Sequence, residues 1–276
     1  MNSEELIETL RSRDFWVFGT GYVAETFWYA LERHALIDRV RGFLVSRGVN
    51  GVSFHGLPVL SLSPGVPGSG ETVCLAVHDS AAGEILPLLS GRTEGLYRIY
   101  PLLTELCYGA PRRETESRSP KELLNCQGPE DLWLAVRYAV IRDYLSGGET
   151  LPLAAALYVR SMALHCGMAT AERRLRFLYA LADSMSAKGW REGTPVFIDE
   201  RGRIIDGLHR TACGIYLGLE RIVCRVYPAS EIYDRLLGER NRLPQSFLLA
   251  QGFSAEELTF LRRTQTEMQR RCDDFG

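Results

Sequence analysis

With 276 residues, 46% apolar and 24% charged, and a net charge of −2, the chain has a globular composition and room for two ordinary domains. That balance excludes a whole-protein attraction to nucleic acid or to an anionic membrane; positive charge gathers only locally, as in Glu172-Arg173-Arg174-Leu175-Arg176. Seven scattered cysteines, none in a C-x-x-C arrangement, argue against a zinc cluster or a disulfide framework and suit free thiols in a reducing compartment. The opening MNSEELIETLRSRD is acidic and amphipathic, which predicts a short helix rather than a signal peptide. No apolar run reaches the length of a bilayer span, so a cytoplasmic protein without a membrane partner is expected.

Phe15-Trp16-Val17-Phe18 reads as an apolar strand leading into Gly19-Thr20-Gly21-Tyr22-Val23-Ala24, a G-x-G-x-x-A turn, and a helix carrying Phe27, Tyr29, Ala30 and Leu31. Further strands are expected at 42–45, 56–60, 72–77 and 97–100. A helix with Ile85, Leu86, Leu88 and Leu89 follows Asp79-Ser80, which can cap it. The alternation predicts a small parallel, Rossmann-like sheet over residues 1–110. In such a turn Gly19 suits the tight bend, Gly21 lets a ligand approach and Ala24 packs helix on sheet. Gly19 and Gly21 are therefore candidate cofactor-binding residues, and an NAD(P)-dependent oxidoreductase is one reading of the chain. The acidic residue expected after the second strand is missing; Ser46 and Arg47 stand there, either to receive a 2′-phosphate or as ordinary loop residues.

Pro111 to Pro120 is charged, with no apolar residue between its prolines, and 111–130 reads as an exposed connection. From 131 the chain turns helical, with helices expected from Leu132 to Ser146, Pro152 to His165 and Ala169 to Lys188. Val196 to Ile198 and Arg203 to Ile205 form a hairpin across Glu200-Arg201-Gly202. A helix with Ala212, Ile215, Tyr216 and Leu217 follows, ended by Gly218, then a strand from Ile222 to Tyr227. Ile232, Leu236 and Leu237 suggest another helix, and Ser254 with Glu257 forms a capping-box pattern opening the last one, which frays from Arg270 to Gly276.

Asp206-Gly207-Leu208-His209-Arg210-Thr211 thus lies on a strand-to-helix turn. The free N–H groups and the dipole of a helix start favour anions, and His209 and Arg210 add charge and forked donors there. Asp206 is either a plain N-cap or a base. Arg173 and Arg174 either approach the same anion or solvate a helix face. His34, His55, His78 and His165 have no neighbours at metal-ligand spacing, and no metal site is expected.

The segment from Ser184 or Ser186 through Gly189, the hairpin, Asp206-Gly207-Leu208-His209-Arg210 and Leu217-Gly218 to Tyr227 resembles the core of the ParB/sulfiredoxin-like superfamily. Leu157-Tyr158 with Arg160, and Phe177-Leu178-Tyr179, resemble the helical lead-in of ParB-like proteins encoded beside surface-polysaccharide genes. The resemblance implies a ParB/sulfiredoxin-like α+β domain with helical additions over 131–276. It implies nucleotide phosphates bound by Gly207, His209, Arg210 and Thr211, with ATP or another nucleotide and Mg²⁺ as cofactors. By similarity to the free-serine kinases, Asp206 would be a base or metal contact; Glu172 is a more remote candidate for the same task. The N-terminal pattern, FGTG with Ala24, then GFLVS and GLPVL, resembles domains of bacterial sugar-modifying acyltransferases and other polysaccharide-pathway proteins.

The expected function is nucleotide-dependent phosphoryl transfer to a small sugar-like or amino-acid-like hydroxylated acceptor, in surface-polysaccharide or natural-product biosynthesis. Asp206, His209 and Glu172 are its candidate catalytic residues. A slow CTP- or ATP-hydrolysing switch is the alternative on the same turn. Leu208 stands where sulfiredoxin has its reactive cysteine, and no helix-turn-helix follows the turn, so peroxiredoxin repair and DNA partitioning are both disfavoured.

Overall fold

Four consecutive apolar residues at 15–18 suit a strand enclosed on both faces, as the centre of a parallel sheet requires. In the computed structural model they form β1 (Phe15–Phe18), with Phe15 and Val17 wholly buried. The structure describes residues 1–47, 51–190, 194–232, 235 and 243–274. The chain divides into two compact units, Met1–Gly109 and Ala110–Gly276, and is mixed α/β throughout.

The first unit opens with α1 (Ser3–Arg11), fixed by reciprocal hydrogen bonds between Asn2 and Glu5. After β1 come α2 (Tyr22–Arg33), β2 (Val40–Val45), β3 (Ser53–Phe54), β4 (Leu57–Ser61), β5 (Thr72–Leu75), α3 (Asp79–Leu89), β6 (Gly95–Arg98) and α4 (Leu103–Tyr108). The strand order is β3-β4-β2-β1-β5-β6, parallel except for the short β3–β4 pair. The chain runs outward from β1 through β2 to β4, then returns to lay β5 on the other side of β1. That reversal brings the carboxyl ends of β1 and β5 together, the place where open parallel sheets hold ligands. Gly19 ends β1 at φ +115°, and a Cβ there would stand 2.7 Å from the Ala76 carbonyl oxygen, so no other residue fits. Gly21 starts α2 with an ordinary φ of −94° and open space around it.

Two local expectations change. Asp79 is the first residue of α3 rather than its cap, and its carboxylate accepts a hydrogen bond from Arg98 at 2.6 Å; the Ser80 side chain lies outside the described residues. The last strand is Gly95–Arg98, two residues earlier than expected, because Tyr100 already begins a turn of 3-10 helix.

The second unit begins inside the stretch expected to be a connection. Residues 111–130 instead hold β7 (Arg113–Arg118) and α5 (Pro120–Cys126), the latter opened by a Ser119–Glu122 capping box. An edge strand can carry RETESR because its backbone pairs on one side while its charges remain hydrated and discourage further pairing. Glu116 pairs with both Arg113 and Arg118, and Glu114 with Arg225. Next come α6 (Trp133–Ser146), α7 (Leu151–Cys166), α8 (Met168–Lys188), β8 (Val196–Asp199), β9 (Ile204–Asp206), α9 (Leu208–Tyr216), β10 (Ile222–Tyr227), α10 (Gln245–Ala250) and α11 (Ala255–Asp274). The second sheet runs β7-β10-β8-β9, with β10 parallel to β8 and the other two pairs antiparallel.

Helix α6 is the axis of this unit. Every residue from Trp133 to Ile141 is buried, and α7, α8, α9 and α11 all pack on it. A helix enclosed on all sides should be apolar all round; Arg137 and Asp143 are its buried charges, and Asp143 is paired with Arg142. The Ser254–Glu257 capping box is formed. The tail from Arg270 does not fray: α11 continues to Asp274, held by buried Met268 and Cys272. The helix expected around Leu236 and Leu237, and residues 275–276, lie outside the described residues. Among the described residues no helix is long and apolar enough to cross a membrane.

Candidate functional site

The turn is built by the hairpin before it. Asp199, fully buried at the end of β8, accepts the backbone N–H groups of Arg201 and Arg203 and the Arg203 guanidinium, closing the bend around Gly202. Strand β9 then delivers Asp206 and Gly207 to the start of α9. Gly207 has φ +109°, and a Cβ on it would lie 3.0 Å from Val196 Cγ2 and 3.2 Å from Arg210 Nη2. Glycine is the residue that takes this left-handed corner without strain. No side chain caps α9, which leaves the first-turn N–H groups without a side-chain acceptor.

Asp206 is not the N-cap. It is the last residue of β9, with a largely exposed carboxylate whose Oδ2 accepts from Arg210 Nη2 at 3.0 Å. The rest of the Arg210 fork donates to the carbonyls of Thr194 and Pro195. Arg210 therefore locks the turn to the strand below it as well as carrying charge. Thr211 is buried, and its hydroxyl donates to the Gly207 carbonyl at 3.1 Å, so this side chain braces the helix start and offers nothing outward. That corrects its expected place among the phosphate ligands.

His209 is half-buried, its Nε2 sharing a 2.7 Å hydrogen bond with the Tyr158 hydroxyl of α7. Burial, reinforced by the charges of Arg137, Arg174 and Arg210, holds its pKa well below the ordinary histidine value, so it is neutral at pH 7. The Arg137 guanidinium stacks 4.5 Å from the Trp133 ring centre and lies 5.9 Å from that of Tyr158. Its Nη1 donates to the Trp133 carbonyl and its Nη2 to Met162 Sδ, while Nε has no acceptor. Only 4% of Arg137 is exposed, and among the described residues no carboxylate pairs with it. Burial, with the nearby Arg174 charge, lowers its pKa to about 10, so it stays cationic at neutral pH. Arg174, half-buried on α8, has no hydrogen bond or ion pair among the described residues.

The structure thus brings Gly207, His209 and Arg210 together with Arg137, Tyr158 and Arg174. Glu172 is left out: it is exposed on α8, two residues from Arg174, and residues two apart on a helix do not share a face. Gly19 and Gly21 belong to the first unit. Of the lead-in residues, Leu157 and Tyr158 are buried, but Arg160 turns away to pair with Glu257 and stack on Phe253. Cys213, wholly buried, has its thiol pushed up to about 12 and is no nucleophile at neutral pH. Arg137 was missed in the sequence although it signals itself, as a lone charge within the apolar run Trp133–Ile141.

His209 and His34 both have lowered pKa values, burial being the largest cause in each. Below about pH 6.5 the unfolded chain therefore binds protons that the folded one refuses, and stability falls with pH. We expect the His209 contribution, at most about 1.4 kcal/mol per pH unit for one proton, to disappear in His209→Gln. Urea unfolding at pH 7.5, 6.5 and 5.5 measures it, and an unchanged slope would place a charged imidazole in the folded protein.

Two concavities of the second unit lie elsewhere, one lined by Ile215, Gly218, Leu219 and Cys272, the other by Arg201, Arg203, Ala229, Ser230 and Glu231. Among the described residues there is no group of three or more His, Cys, Asp or Glu that could hold a metal ion. Protein-family models, curated proteins and solved structures all fail to match this chain.

Proposed function

We propose that the second unit binds the phosphates of a nucleotide at the turn from Asp206 to Thr211 and passes a phosphoryl group to a small hydroxylated acceptor. In this reading the first unit is a Rossmann-like domain and the second a ParB/sulfiredoxin-like one. The observation that carries it is the uncapped start of α9 on Gly207, with the Arg210 guanidinium beside it. Backbone N–H groups and guanidinium forks are the donors that polyphosphates take.

The chain's residues then divide the work. The first-turn N–H groups of α9 orient the phosphates, and Arg210 offsets charge that develops on the transferred group. Asp206 Oδ1 has no hydrogen-bond partner among the described residues and can accept the acceptor's hydroxyl proton. As that proton leaves, the acceptor oxygen bonds to the terminal phosphorus and the bond to the nucleoside diphosphate breaks. His209, neutral and tied to Tyr158, contributes shape and hydrogen bonding rather than charge. The donor set fits an anion; it offers no protein ligand cluster for Mg²⁺, and no step is assigned to that ion. The engagement of Asp206 by Arg210 favours one second reading, a switch that binds nucleotide and hydrolyses it slowly.

Thermal unfolding with ATP, ADP, CTP, GTP, NAD and NADP is the test. A nucleotide at a hundred times its Kd adds about 2.7 kcal/mol to stability, and Arg210→Ala is expected to weaken it more than tenfold. Absence of any nucleotide shift overturns the reading. Incubation with nucleotide and hydroxylated acceptors separates the rest: a phosphorylated product marks the transferase, and slow hydrolysis alone marks the switch.

A further inference from the structure

A guanidinium that is 96% buried, with no carboxylate paired to it among the described residues, is an expensive feature, because its hydration is lost and no ion pair replaces it. The face of Trp133 offsets part of that cost. Arg174 worsens it, since its charge also bears on Arg137, Tyr158 and His209. The neighbours relieve the imbalance only in part: His209 is neutral, Tyr158 is held protonated by burial, Asp131 favours the cation without pairing with it, and the nearby carboxylate of Asp206 is taken by Arg210. The buried Arg137 guanidinium, with its Nε unsatisfied, suits an anion held between α6 and α8. Arg210, bound to Asp206 and to two carbonyls, is committed to the turn, whereas among the described residues Arg137 and Arg174 pair with no carboxylate.

We infer that Arg137 and Arg174, with the Tyr158–His209 pair, form an anion pocket beside the turn that takes the acceptor's own charged group. The acceptor is then a hydroxylated metabolite bearing a carboxylate or a phosphate, not a neutral sugar or alcohol. This rests on the phosphotransferase reading for the word acceptor, but the pocket itself does not. The neutral imidazole matters here: beside two guanidinium groups it adds a hydrogen-bonding group without a third charge, and a bound anion would draw a proton onto it.

The test uses inorganic phosphate and glycerate as probes in thermal unfolding of the full chain, alone and with saturating ADP. Either probe is expected to raise the melting temperature of the wild type, and to add to the shift given by ADP. Arg174→Gln, a half-buried site with no partner to orphan among the described residues, is expected to lose at least four-fifths of the probe's increment. A larger effect of phosphate assigns a phosphate ester; a larger effect of glycerate assigns a hydroxy acid. If ADP gives no shift while the probes still do, and lose it in Arg174→Gln, the nucleotide reading fails and the pocket stands. The inference is overturned if neither probe stabilises the wild type, if the increment survives in Arg174→Gln, or if saturating ADP abolishes it. The last outcome would make these arginines ligands of the nucleotide's own phosphates.

Discussion

Arg137→Met is expected to make the protein more stable and less able to bind anions. Methionine follows the course of the arginine stem and fills irregular space. Its introduction removes a charge that is 4% exposed and has no carboxylate partner among the described residues. Nothing is orphaned, because the Trp133 carbonyl belongs to the α6 ladder and Met162 Sδ is a weak acceptor. Replacing buried charges by apolar side chains gains up to about 1–4 kcal/mol, and relief of repulsion from Arg174 acts in the same direction. Phosphate or glycerate binding should fall about a hundredfold, the worth of roughly one strong charge-assisted hydrogen bond. Urea unfolding and probe titration on the same sample read both quantities. A loss of stability in Arg137→Met would instead mean that the stack on Trp133 is structural and that the charge is there to hold helices together.

This trade also explains what could be read in the sequence. The hairpin, Gly207 and the first turn of α9 were legible because each is local: alternating apolar runs, a glycine at a corner and a helix pattern lie within a few residues of one another. The parallel sheet of the first unit was legible for the same reason, each strand being a short apolar run followed by a turn. Strand β7 was not, because an edge strand draws its stability from backbone pairing with β10 and shows a polar sequence indistinguishable from a loop. The interior of the site was not legible either. Arg137, Tyr158 and Arg174 come from three different helices, and only their packing places them around His209. Thr211 came from the family resemblance and Glu172 was a remote candidate carboxylate, and neither ground determines the direction a helical side chain takes. For Asp206 the residue type left cap and base both open; the structure removes the cap, and the Arg210 fork holds one carboxylate oxygen.

Asp199→Ala is expected to destabilise the second unit by about 3–5 kcal/mol, the cost of removing one partner from a buried charge pair. Its carboxylate is fully enclosed and meets three donors: the Arg201 N–H at 2.9 Å, the Arg203 N–H at 2.9 Å and Arg203 Nε at 2.7 Å. Alanine would strip the bend of acceptors for both backbone groups, and Arg203 would lose a charged partner where its side chain is only 12% exposed. Because β9 carries Asp206 and Gly207, loosening this bend should also weaken nucleotide binding, even though Asp199 lies at the far end of the hairpin. Asp199→Asn separates the two contributions. Asparagine keeps an oxygen for the backbone N–H groups but turns an amide donor toward Arg203, so only the ion pair is lost. A clearly smaller loss in Asn than in Ala, measured by urea unfolding, assigns part of the energy to the satisfied backbone of the bend. Equal losses would assign it to the ion pair alone, and the geometry of Gly207 would then depend on one charge contact inside the hairpin.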